Sequence, residues 1–364
     1  MINRRKFLKN SVLAGVSLFV FPNILNAASK PYKIKKVHKY KHWVWINPKD
    51  GEKDKDIEAR YVKFRDAGIK GIFFGRNVEN HFRIAKSLGL ETHRWIWIMN
   101  NGDKALLEQH PDWYAKNRNG ESCAVKPPYV GYYRWLCPSR EDVQQYIFEE
   151  IENALKNKYV DGIHLDYIRY CDIVLPVNLW KNYHIEQIRE LPEYDYCYCD
   201  VCRNKFREQY GMELDQIEFP EASLSWRQFR YNAITNIVNK IAEITTKYNK
   251  KVTAAVFPTP EVVRRNVRQD WVNWNLDAIY PMIYHNFYKE NVSWIGDAVK
   301  EGVRGLNNRF PLYAGLHLPD FKDDADFREG VRYALKNGAS GVSLFGDVTE
   351  NILNVLKEFQ KYRT

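Results

Sequence analysis

The sequence predicts a (β/α)8 barrel, also called a TIM barrel, and three features of the chain point to this fold class. Eight short runs with strand character are spread between residues 42 and 346, and amphipathic helical stretches separate them. The runs are rich in β-branched and aromatic residues, and Gly, Pro, Asn or Asp bound them, as is typical of strands. The chain has 364 residues, a normal length for an α/β barrel. Strand and helix alternating about eight times predict a closed parallel sheet.

The predicted strands follow one another along the whole of this region. They are His42–Asn47, Gly71–Gly75, Thr92–Met99, Gly162–Tyr167, Val252–Pro258, Ala278–His285, Leu312–Leu318 and Gly341–Gly346. An open, doubly wound sheet is the alternative architecture. No Gly-rich phosphate loop follows the first strand, which counts against a dinucleotide-binding version of that fold.

The helical stretches carry apolar residues at spacings of three and four, a pattern that places these residues on one face. They are Ile57–Ala67, Val143–Leu155, Phe229–Ile244, Phe327–Leu335 and Ile352–Phe359.

Two connections are much longer than the others, and both follow predicted strands. One is the turn-rich segment Asn100–Pro138 after the third strand, and the other is the stretch 171–224 after the fourth strand. Barrel enzymes build their sites from the segments that follow the strands. We therefore expect these two segments to form the walls of an extended cleft, the second as a Cys-containing subdomain inserted in the barrel domain of residues 29–364.

The first 28 residues have the layout of an export signal. Arg4 and Arg5 lie in a basic segment, an apolar stretch follows over Val12–Leu25, and small residues end it. The arginine pair resembles the twin-arginine signal, which exports proteins that have already folded. A membrane anchor is the alternative, but the apolar stretch is short and interrupted. We expect residues 29–364 to be periplasmic or secreted, with no membrane span.

Charge and composition narrow the class of partner. The net charge is +10, and four of these positive charges lie in residues 1–28, which leaves +6 for the rest of the chain. This mild excess is spread along the sequence, so it indicates a soluble surface more than a binding patch. Nucleic acid is not expected as a partner of an exported protein. Aromatic residues make up 15% of the chain, and such rings either fill a core or offer flat faces to a ligand.

The sharpest motif is the segment Asp161–Tyr170, with the sequence DGIHLDYIRY. Successive strand residues point to opposite faces, so if Asp166 points into the barrel, His164 does too, and the apolar residues between them face the helices. This register places the Asp166 carboxylate at the C-terminal mouth, where barrel enzymes keep their catalytic groups. We therefore predict a catalytic role for Asp166. A helix cap or an ion pair with Arg169 is the alternative.

Together with other motifs, this segment resembles a broad group of bacterial glycosyl-hydrolase-like barrels. The other motifs are CYCDVC, AVFP and PMIY, and the likeness spans roughly Trp43 to Asp347. More distantly, the chain is similar to the chitinase clan of glycoside hydrolase family 18. That family carries Asp-Gly-x-Asp-x-Asp-x-Glu on strand four and Met-x-Tyr-Asp on strand six. Ile168 stands here in place of the family's acidic Glu, so the resemblance implies the fold and Asp166 but not the family's substrate-assisted mechanism.

The resemblance implies a glycoside hydrolase that cleaves a poly- or oligosaccharide without a catalytic cofactor. Glycoside hydrolysis usually requires two carboxyl groups. We predict Asp166 as the nucleophile or base, and Glu261, which follows the fifth strand, as the acid. Asp320 and Asp347 are rivals of Glu261, and a helix-cap role is the alternative for all three.

Further polar and aromatic residues are predicted to bind substrate at the same mouth. They are Trp45, Asn47, Arg76, Trp97, His164, Arg169, Tyr284, His285, His317 and Asp347. Ordinary loop hydrogen bonding, or packing of the barrel core, is the alternative for each. Two other functions stay open. One is a carbohydrate-binding barrel without turnover, and the other is a metal-dependent hydrolase that uses His164, Asp166, His285 and His317.

All six cysteines follow the export signal, and three of them are crowded together. They are Cys123, Cys137, Cys171, Cys197, Cys199 and Cys202. An exported chain permits disulfides, and the even count agrees with them. Alternatively, Cys197, Cys199 and Cys202 form a structural zinc site with Cys171 or His184 as the fourth ligand. Three cysteines in six residues suit zinc better, and such a closed site leaves no position open for catalysis.

Overall fold

Eight parallel strands form the predicted barrel. The computed structural model describes residues 40–361. The strands run in the order β6-β5-β4-β3-β2-β1-β8-β7 and each hydrogen-bonded pair is parallel. Their bounds are β1 His42–Ile46, β2 Ile69–Phe74, β3 Glu91–Trp97, β4 Gly162–Asp166, β5 Lys251–Val256, β6 Ala278–Pro281, β7 Tyr313–His317 and β8 Gly341–Phe345. All eight predicted strands are therefore present.

Isolated parallel bridges join the two outer strands, β6 and β7, and so nearly close the barrel. Ile279 pairs with Leu312, and Met282 pairs with Gly315. The backbone N–H of Ile283 donates to the carbonyl of Gly315 at 2.8 Å. A Cβ atom at Gly315 would lie 2.7 Å from the carbonyl oxygen of Pro281. Only glycine permits so close an approach of the two backbones.

Helices surround the strands, and five of them contain the predicted stretches, except that Ala67, predicted as helical, is the cap that follows α1. The helices are α1 Asp54–Asp66, α2 Glu79–Ser87, α3 Lys104–Gln109, α4 Glu141–Leu155, α5 Trp180–Tyr183, α6 Asp200–Tyr210, α7 Leu224–Lys247, α8 Pro260–Asn266, α9 Trp294–Leu306, α10 Asp324–Lys336 and α11 Glu350–Lys361. In α4, the predicted apolar stripe is the buried face. None of the described helices is long and apolar enough to cross a membrane.

The predicted register of β4 is confirmed. Ile163 and Leu165 belong to the apolar layer between the strands and the outer helices. His164 points into the barrel, where its ring stacks on Phe73 with centroids 3.6 Å apart. Trp45 Nε1 donates a hydrogen bond to His164 Nε2 at 3.0 Å. The barrel interior is therefore packed with aromatic rings beneath the mouth.

The two long segments after β3 and β4 contact each other. The residue Asn117 pairs with Tyr196 in an isolated antiparallel bridge. The hydroxyl of Tyr129 donates to the carbonyl of Asp172 at 2.8 Å and accepts a hydrogen bond from Gln187 at the same distance. The segment 171–224, predicted as an inserted subdomain, consists of short helices and turns that pack in this way against residues 100–138. The predicted export signal, residues 1–28, lies outside the described residues.

Candidate active site

A cavity of about 440 Å³ opens at the C-terminal ends of the strands, and aromatic rings line most of it. Strand residues such as Trp45 and Trp95 form its floor, and tyrosines of the two long segments form one wall. The charged residues of the lining are Asp166, Arg169 and Asp172. The aromatic lining residues are Trp45, Trp95, Trp97, Tyr129, Tyr132, Tyr133, Tyr167, Tyr183, Phe257, Tyr284, Phe287, Tyr288, His317 and Phe345.

Asp166 is the last residue of β4, and it is buried at the floor of the cavity. Its Oδ2 accepts a hydrogen bond from Trp95 Nε1 at 2.9 Å, and its Oδ1 accepts one from the backbone N–H of Tyr167 at 2.7 Å. Tyr167 has a φ of 48°, a left-handed conformation that is uncommon for a residue with a side chain. Such strain is found where the surroundings hold a residue in place, often at functional sites.

Burial raises the pKa of the Asp166 carboxyl above its ordinary value. The hydrogen bonds from Tyr167 and Trp95 and the positive charge of Arg169 oppose this rise without cancelling it. A carboxyl whose pKa is raised keeps its proton closer to neutral pH and can donate it to a substrate. Asp166 is therefore suited to act as an acid.

The other lining carboxylate, Asp172, is held by an ion pair. Arg169 Nη1 lies 2.9 Å from Asp172 Oδ2, and both side chains are buried. Burial disfavours the charged guanidinium, but the charge and hydrogen bond of Asp172, together with Tyr133 and Tyr167, outweigh burial, and the pKa of Arg169 is raised. The guanidinium also lies 4.7 Å from the ring centre of Trp135 and 4.8 Å from that of Phe257. Asp172 is thus a fixed charge that positions Arg169.

On the opposite side of the cavity, Tyr284, His317 and Phe345 follow or end the strands β6, β7 and β8. The rings of Tyr284 and His317 have centroids 5.1 Å apart. His317 Nδ1 lies 2.8 Å from Asp320 Oδ1. Burial raises the pKa of the Tyr284 phenol, and the negative charges of Asp166 and Asp320 add to this effect. Tyr284 therefore stays a neutral hydroxyl in the cavity.

Six of the predicted substrate-binding residues line this cavity together with Asp166. They are Trp45, Asn47, Trp97, Arg169, Tyr284 and His317. The cavity also contains Asp172 and the loop tyrosines Tyr129, Tyr132 and Tyr133, which were not among the predicted site residues. The run PPYVGYY at residues 127–133 could have indicated these tyrosines, because several aromatic rings close together in a turn-rich loop are expected to pack against another surface or a ligand.

Four predicted substrate-binding residues do not line the cavity. Arg76 points to the carbonyl of Pro48 and to Asp50, outside the mouth. His164 is completely buried beneath the floor, where it packs in the barrel core. His285 begins a 3₁₀ turn and lies in a neighbouring groove, because β6 ends at Pro281 instead of continuing to His285 as predicted. Asp347 is exposed beyond the end of β8.

Glu261, the predicted acid, is not in the cavity either. It lies in the first turn of α8, is exposed, and lines a separate cleft with Arg264, Arg265 and Glu301. Thr259 caps this helix, since its Oγ1 accepts a hydrogen bond from the backbone N–H of Val262 at 3.3 Å. The cap begins the helix so soon after β5 that Glu261 is carried away from the mouth. The structure therefore does not bring Asp166 and Glu261 together.

Four buried cysteines form a cluster that could bind a metal ion. The sulfur atoms of Cys137, Cys197, Cys199 and Cys202 all lie within 4.8 Å of one another. The fourth member is Cys137, which corrects the prediction of Cys171 or His184. Cys171 lies elsewhere, with its Sγ 3.9 Å from the carbonyl of Asp172. All six cysteines are free thiols, so the described residues contain no disulfide.

No other group of three or more His, Cys, Asp and Glu ligands is found in residues 40–361. The proposed catalytic metal site of His164, Asp166, His285 and His317 therefore does not form, because His164 lies below the cavity and His285 beside it.

Comparisons with known proteins agree with the barrel. The glycoside hydrolase domain of PgaB (BpsB) from Bordetella bronchiseptica superposes with a TM-score of 0.64 at 12% identity, covering 90% of this chain and 99% of that domain. A GH36 alpha-galactosidase, AgaA from Geobacillus stearothermophilus, superposes with a TM-score of 0.50 at 13% identity, covering 90% of this chain and 42% of that one. At these identities, the likeness shows the fold.

A sequence relative matches only part of the chain. The S-layer-related protein of Niallia circulans is 30% identical over 103 residues, which are 26% of this chain and 6% of that protein. The family described as Glycosyl hydrolase-like 10 matches residues 78–317, which are more than half of the chain and include β3 to β7 with both long segments. The chain therefore belongs to the Glycosyl hydrolase-like 10 family.

Proposed function

We propose that this protein is a glycoside hydrolase and that the aromatic cavity around Asp166 is its active site. The observation that carries the proposal is a buried carboxyl with a raised pKa at the floor of an aromatic cavity, at the mouth of the barrel. Membership of a glycosyl hydrolase-like family supports this class of reaction. The fold alone would not, because barrels carry out many reactions.

The cavity suits a poly- or oligosaccharide substrate. Sugar rings have C–H faces that pack against aromatic rings, and the cavity offers such rings from its floor to its rim. Trp97 at the rim is 45% exposed and lies against Tyr167, with ring centroids 4.5 Å apart. A sugar bound on this platform would reach the Asp166 carboxyl below it.

Asp166 would act as the general acid that protonates the departing glycosidic oxygen. Its raised pKa favours this role over the nucleophile or base that the sequence predicts. Asp172 is less suited to proton transfer because its Oδ2 is engaged by the Arg169 guanidinium at 2.9 Å. Arg169 would instead bind a sugar hydroxyl at the edge of the cavity.

The first test is a screen of the purified protein on a panel of polysaccharides, with release of reducing ends as the readout. We expect Asp166→Asn to lower turnover by about 10²- to 10⁴-fold, the usual contribution of a general acid. Glu261→Gln is the matched carboxylate variant, and we expect it to keep its activity because it lies in a separate cleft. Full activity of Asp166→Asn would refute the assignment, and loss in Glu261→Gln would restore the predicted pair.

A carbohydrate-binding barrel without turnover is the second candidate. One observation favours it, namely that the lining carboxylates consist of Asp166 and the ion-paired Asp172. This candidate predicts that glycans bind and protect the protein against thermal unfolding while no reducing ends appear. Any enzymatic release of reducing ends would exclude it.

We also propose that the cysteine cluster binds a structural zinc ion. Four sulfurs at the Zn–S distance of about 2.3 Å in a tetrahedron lie about 3.8 Å apart. The sulfur of Cys137 lies 3.5 Å from those of Cys199 and Cys202, and Cys197 lies 3.5 Å from Cys199, so a small adjustment would fit the ion. Such a closed site would stabilise the fold and take no part in the reaction.

Finally, we propose that the protein is exported. The basic and apolar pattern of residues 1–28 supports this, and the similarity to an S-layer-related protein over 103 residues agrees with a location outside the cytoplasm. A glycan of the cell surface or of the surroundings would then be the substrate.

A further inference from the structure

We propose that His317, held by Asp320, is the second proton-transfer group of this site and acts as the general base that activates water. The inference rests on the proposed glycosidase function. Glycoside hydrolysis usually requires a second carboxyl group beside Asp166, and the cavity lining contains no other carboxylate that is free of an ion pair. The inference assigns the role of this second group to His317.

The geometry of the pair supports this role. His317 ends β7 and lines the cavity, with 21% of its side chain exposed. Its Nδ1 lies 2.8 Å from Asp320 Oδ1, and Asp320 follows in the 3₁₀ turn Leu318–Asp320. Among the described residues, Asp320 is the only hydrogen-bond partner of the ring, so Nε2 is left for a ligand in the cavity. A carboxylate on one ring nitrogen fixes the tautomer and makes the other nitrogen a better proton acceptor.

Asp320 is arranged as a positioning residue rather than a surface acid. Only 4% of its side chain is exposed. Its second oxygen, Oδ2, is buried and has no hydrogen-bond partner in the described part of the chain. Burying a carboxylate whose single hydrogen-bond partner is the His317 ring lowers the stability of the fold. Stabilising the imidazolium that forms when His317 takes a proton would offset that cost during the reaction.

The groups around the ring are compatible with a proton acceptor. Tyr284 and Phe287 face the ring from the segment after β6, and Phe345 faces it from β8. His285, Asp320 and Asp326 are the other charged or titratable groups in this neighbourhood, because His317 and the two carboxylates all act on the pKa of His285, which burial lowers. The charges of both Asp166 and Asp320 act on the Tyr284 hydroxyl and add to the rise of its pKa.

The oxygen of a water molecule forms a bond to the anomeric carbon while one of its protons passes to His317 Nε2. The bond between that carbon and the glycosidic oxygen breaks, and the departing oxygen takes the proton of Asp166. Afterwards, the imidazolium releases its proton to solvent and Asp166 takes one up. Water attacks directly in this scheme, so the configuration at the anomeric carbon inverts.

The test uses the full chain and the best glycan from the polysaccharide screen, together with a dinitrophenyl glycoside of the same sugar. We expect His317→Gln to lower kcat/KM about 10²- to 10⁴-fold on both substrates, because both need an activated water. Asp166→Asn should be much less impaired on the dinitrophenyl glycoside, whose leaving group needs no proton. His110→Gln, a histidine stacked on Trp113 outside the cavity, is the matched control.

The pH profile of kcat/KM separates catalysis from a structural role. Two proton-transfer groups give a profile with two limbs, so His317→Gln should lose one limb of the profile of the unaltered protein. In Asp320→Asn, the limb that His317 sets should move to lower pH, because removal of the neighbouring negative charge disfavours a proton on the ring.

Three outcomes would overturn the inference. If the unaltered protein cleaves no glycan, the proposed function and the inference both fail. If it does, and His317→Gln behaves like His110→Gln with both limbs retained, only the inference fails. If His317→Gln does not fold, Asp320→Asn decides, since it keeps the ring, and an unchanged pH profile in that variant would exclude the pair.

Discussion

At the residue scale, the cavity separates side chains that can meet a ligand from those that support them. Trp97 is 45% exposed at the rim, while Trp45 and Trp95 are almost completely buried and donate hydrogen bonds to His164 and Asp166. We expect Trp97→Ala to raise KM about five- to tenfold with little change in kcat, because one aromatic contact contributes about 1 kcal/mol.

The measurement for Trp97 is steady-state kinetics on the best glycan of the screen. Phe219→Ala is the matched control, since Phe219 is 58% exposed and does not line the cavity. A loss in kcat alone would contradict a binding role for Trp97, because uniform binding changes KM and not kcat.

Asp166 also leads to a prediction about stability. Its pKa is raised in the folded protein, so the folded state holds its proton more tightly than the unfolded state, whose ordinary value is 3.8. The protonated Asp166 therefore stabilises the folded state at low pH, and this contribution to the free energy of unfolding is lost as the pH rises through the raised pKa of the folded protein. Asp166→Asn lacks this decrease, so its Tm relative to the unaltered protein should rise with pH.

Thermal unfolding near pH 3.5 and near pH 7.5, on either side of the expected window, measures this difference. We expect the Tm of Asp166→Asn, relative to that of the unaltered protein, to be higher at the higher pH. The same Tm difference at both values would mean that the pKa of Asp166 is not raised.

Residue-level prediction succeeded where alternation along a strand determined the direction of a side chain. The inward direction of His164 and Asp166 followed from the pleat of β4 and needed no knowledge of the loops. The depth of each residue did not follow in this way. His164 packs against Phe73 two residues below Asp166, and this makes it part of the core instead of the cavity.

At the element scale, the errors lie where a strand ends and the next element begins. Apolar character continues past Pro281, so the sequence predicts a longer β6, but a 3₁₀ turn follows and turns His285 away. The Thr259 cap acts similarly on Glu261 after β5. Both His285 and Glu261 follow a strand closely in the sequence, as residues of the barrel mouth do. The turn that comes directly after each strand determines whether the side chain faces the cavity.

The cysteine cluster joins the two long segments that form one wall of the cavity. Cys137 belongs to the end of the segment after β3, while Cys197, Cys199 and Cys202 belong to the segment after β4. The sequence predicted Cys171 or His184 as the fourth ligand, and both are nearer to the cluster in the chain than Cys137 is. The contact between the two segments, which brings Cys137 to the cluster, has no local sequence signal.

This arrangement predicts that zinc holds the wall together. We expect Cys137→Ser to lose bound zinc, to lower the Tm, and to raise KM by loosening the tyrosines of both segments, with a smaller effect on kcat. Cys171→Ser is the matched control, because Cys171 is equally buried but outside the cluster. Elemental analysis of the purified proteins measures the metal, and equal zinc content in the two variants would contradict the assignment.

At the scale of the whole molecule, the barrel was predictable because its signals are local and repeated. Each strand and helix has its own periodicity, and eight repeats make the fold class robust to errors at single boundaries. The closure between β6 and β7 depends instead on Gly315 meeting the backbone of Pro281. This contact could not be predicted from the sequence, because neither strand carries a local pattern that indicates its partner.

The proposed export and the proposed zinc site together lead to a last prediction. A twin-arginine signal carries folded proteins, and a chain that folds in the cytoplasm would bind zinc there before its thiols meet an oxidising compartment. We therefore expect exported protein to contain about one zinc per chain and no disulfide. Substituting Arg4→Lys and Arg5→Lys together should retain the protein in the cytoplasm with its zinc still bound, since the cluster lies far from the signal in sequence. Cell fractionation followed by elemental analysis and thiol titration tests both parts. Unimpaired export of the double variant would exclude the twin-arginine route, and exported protein with oxidised cysteines and no zinc would show that the thiols reach the outside unprotected.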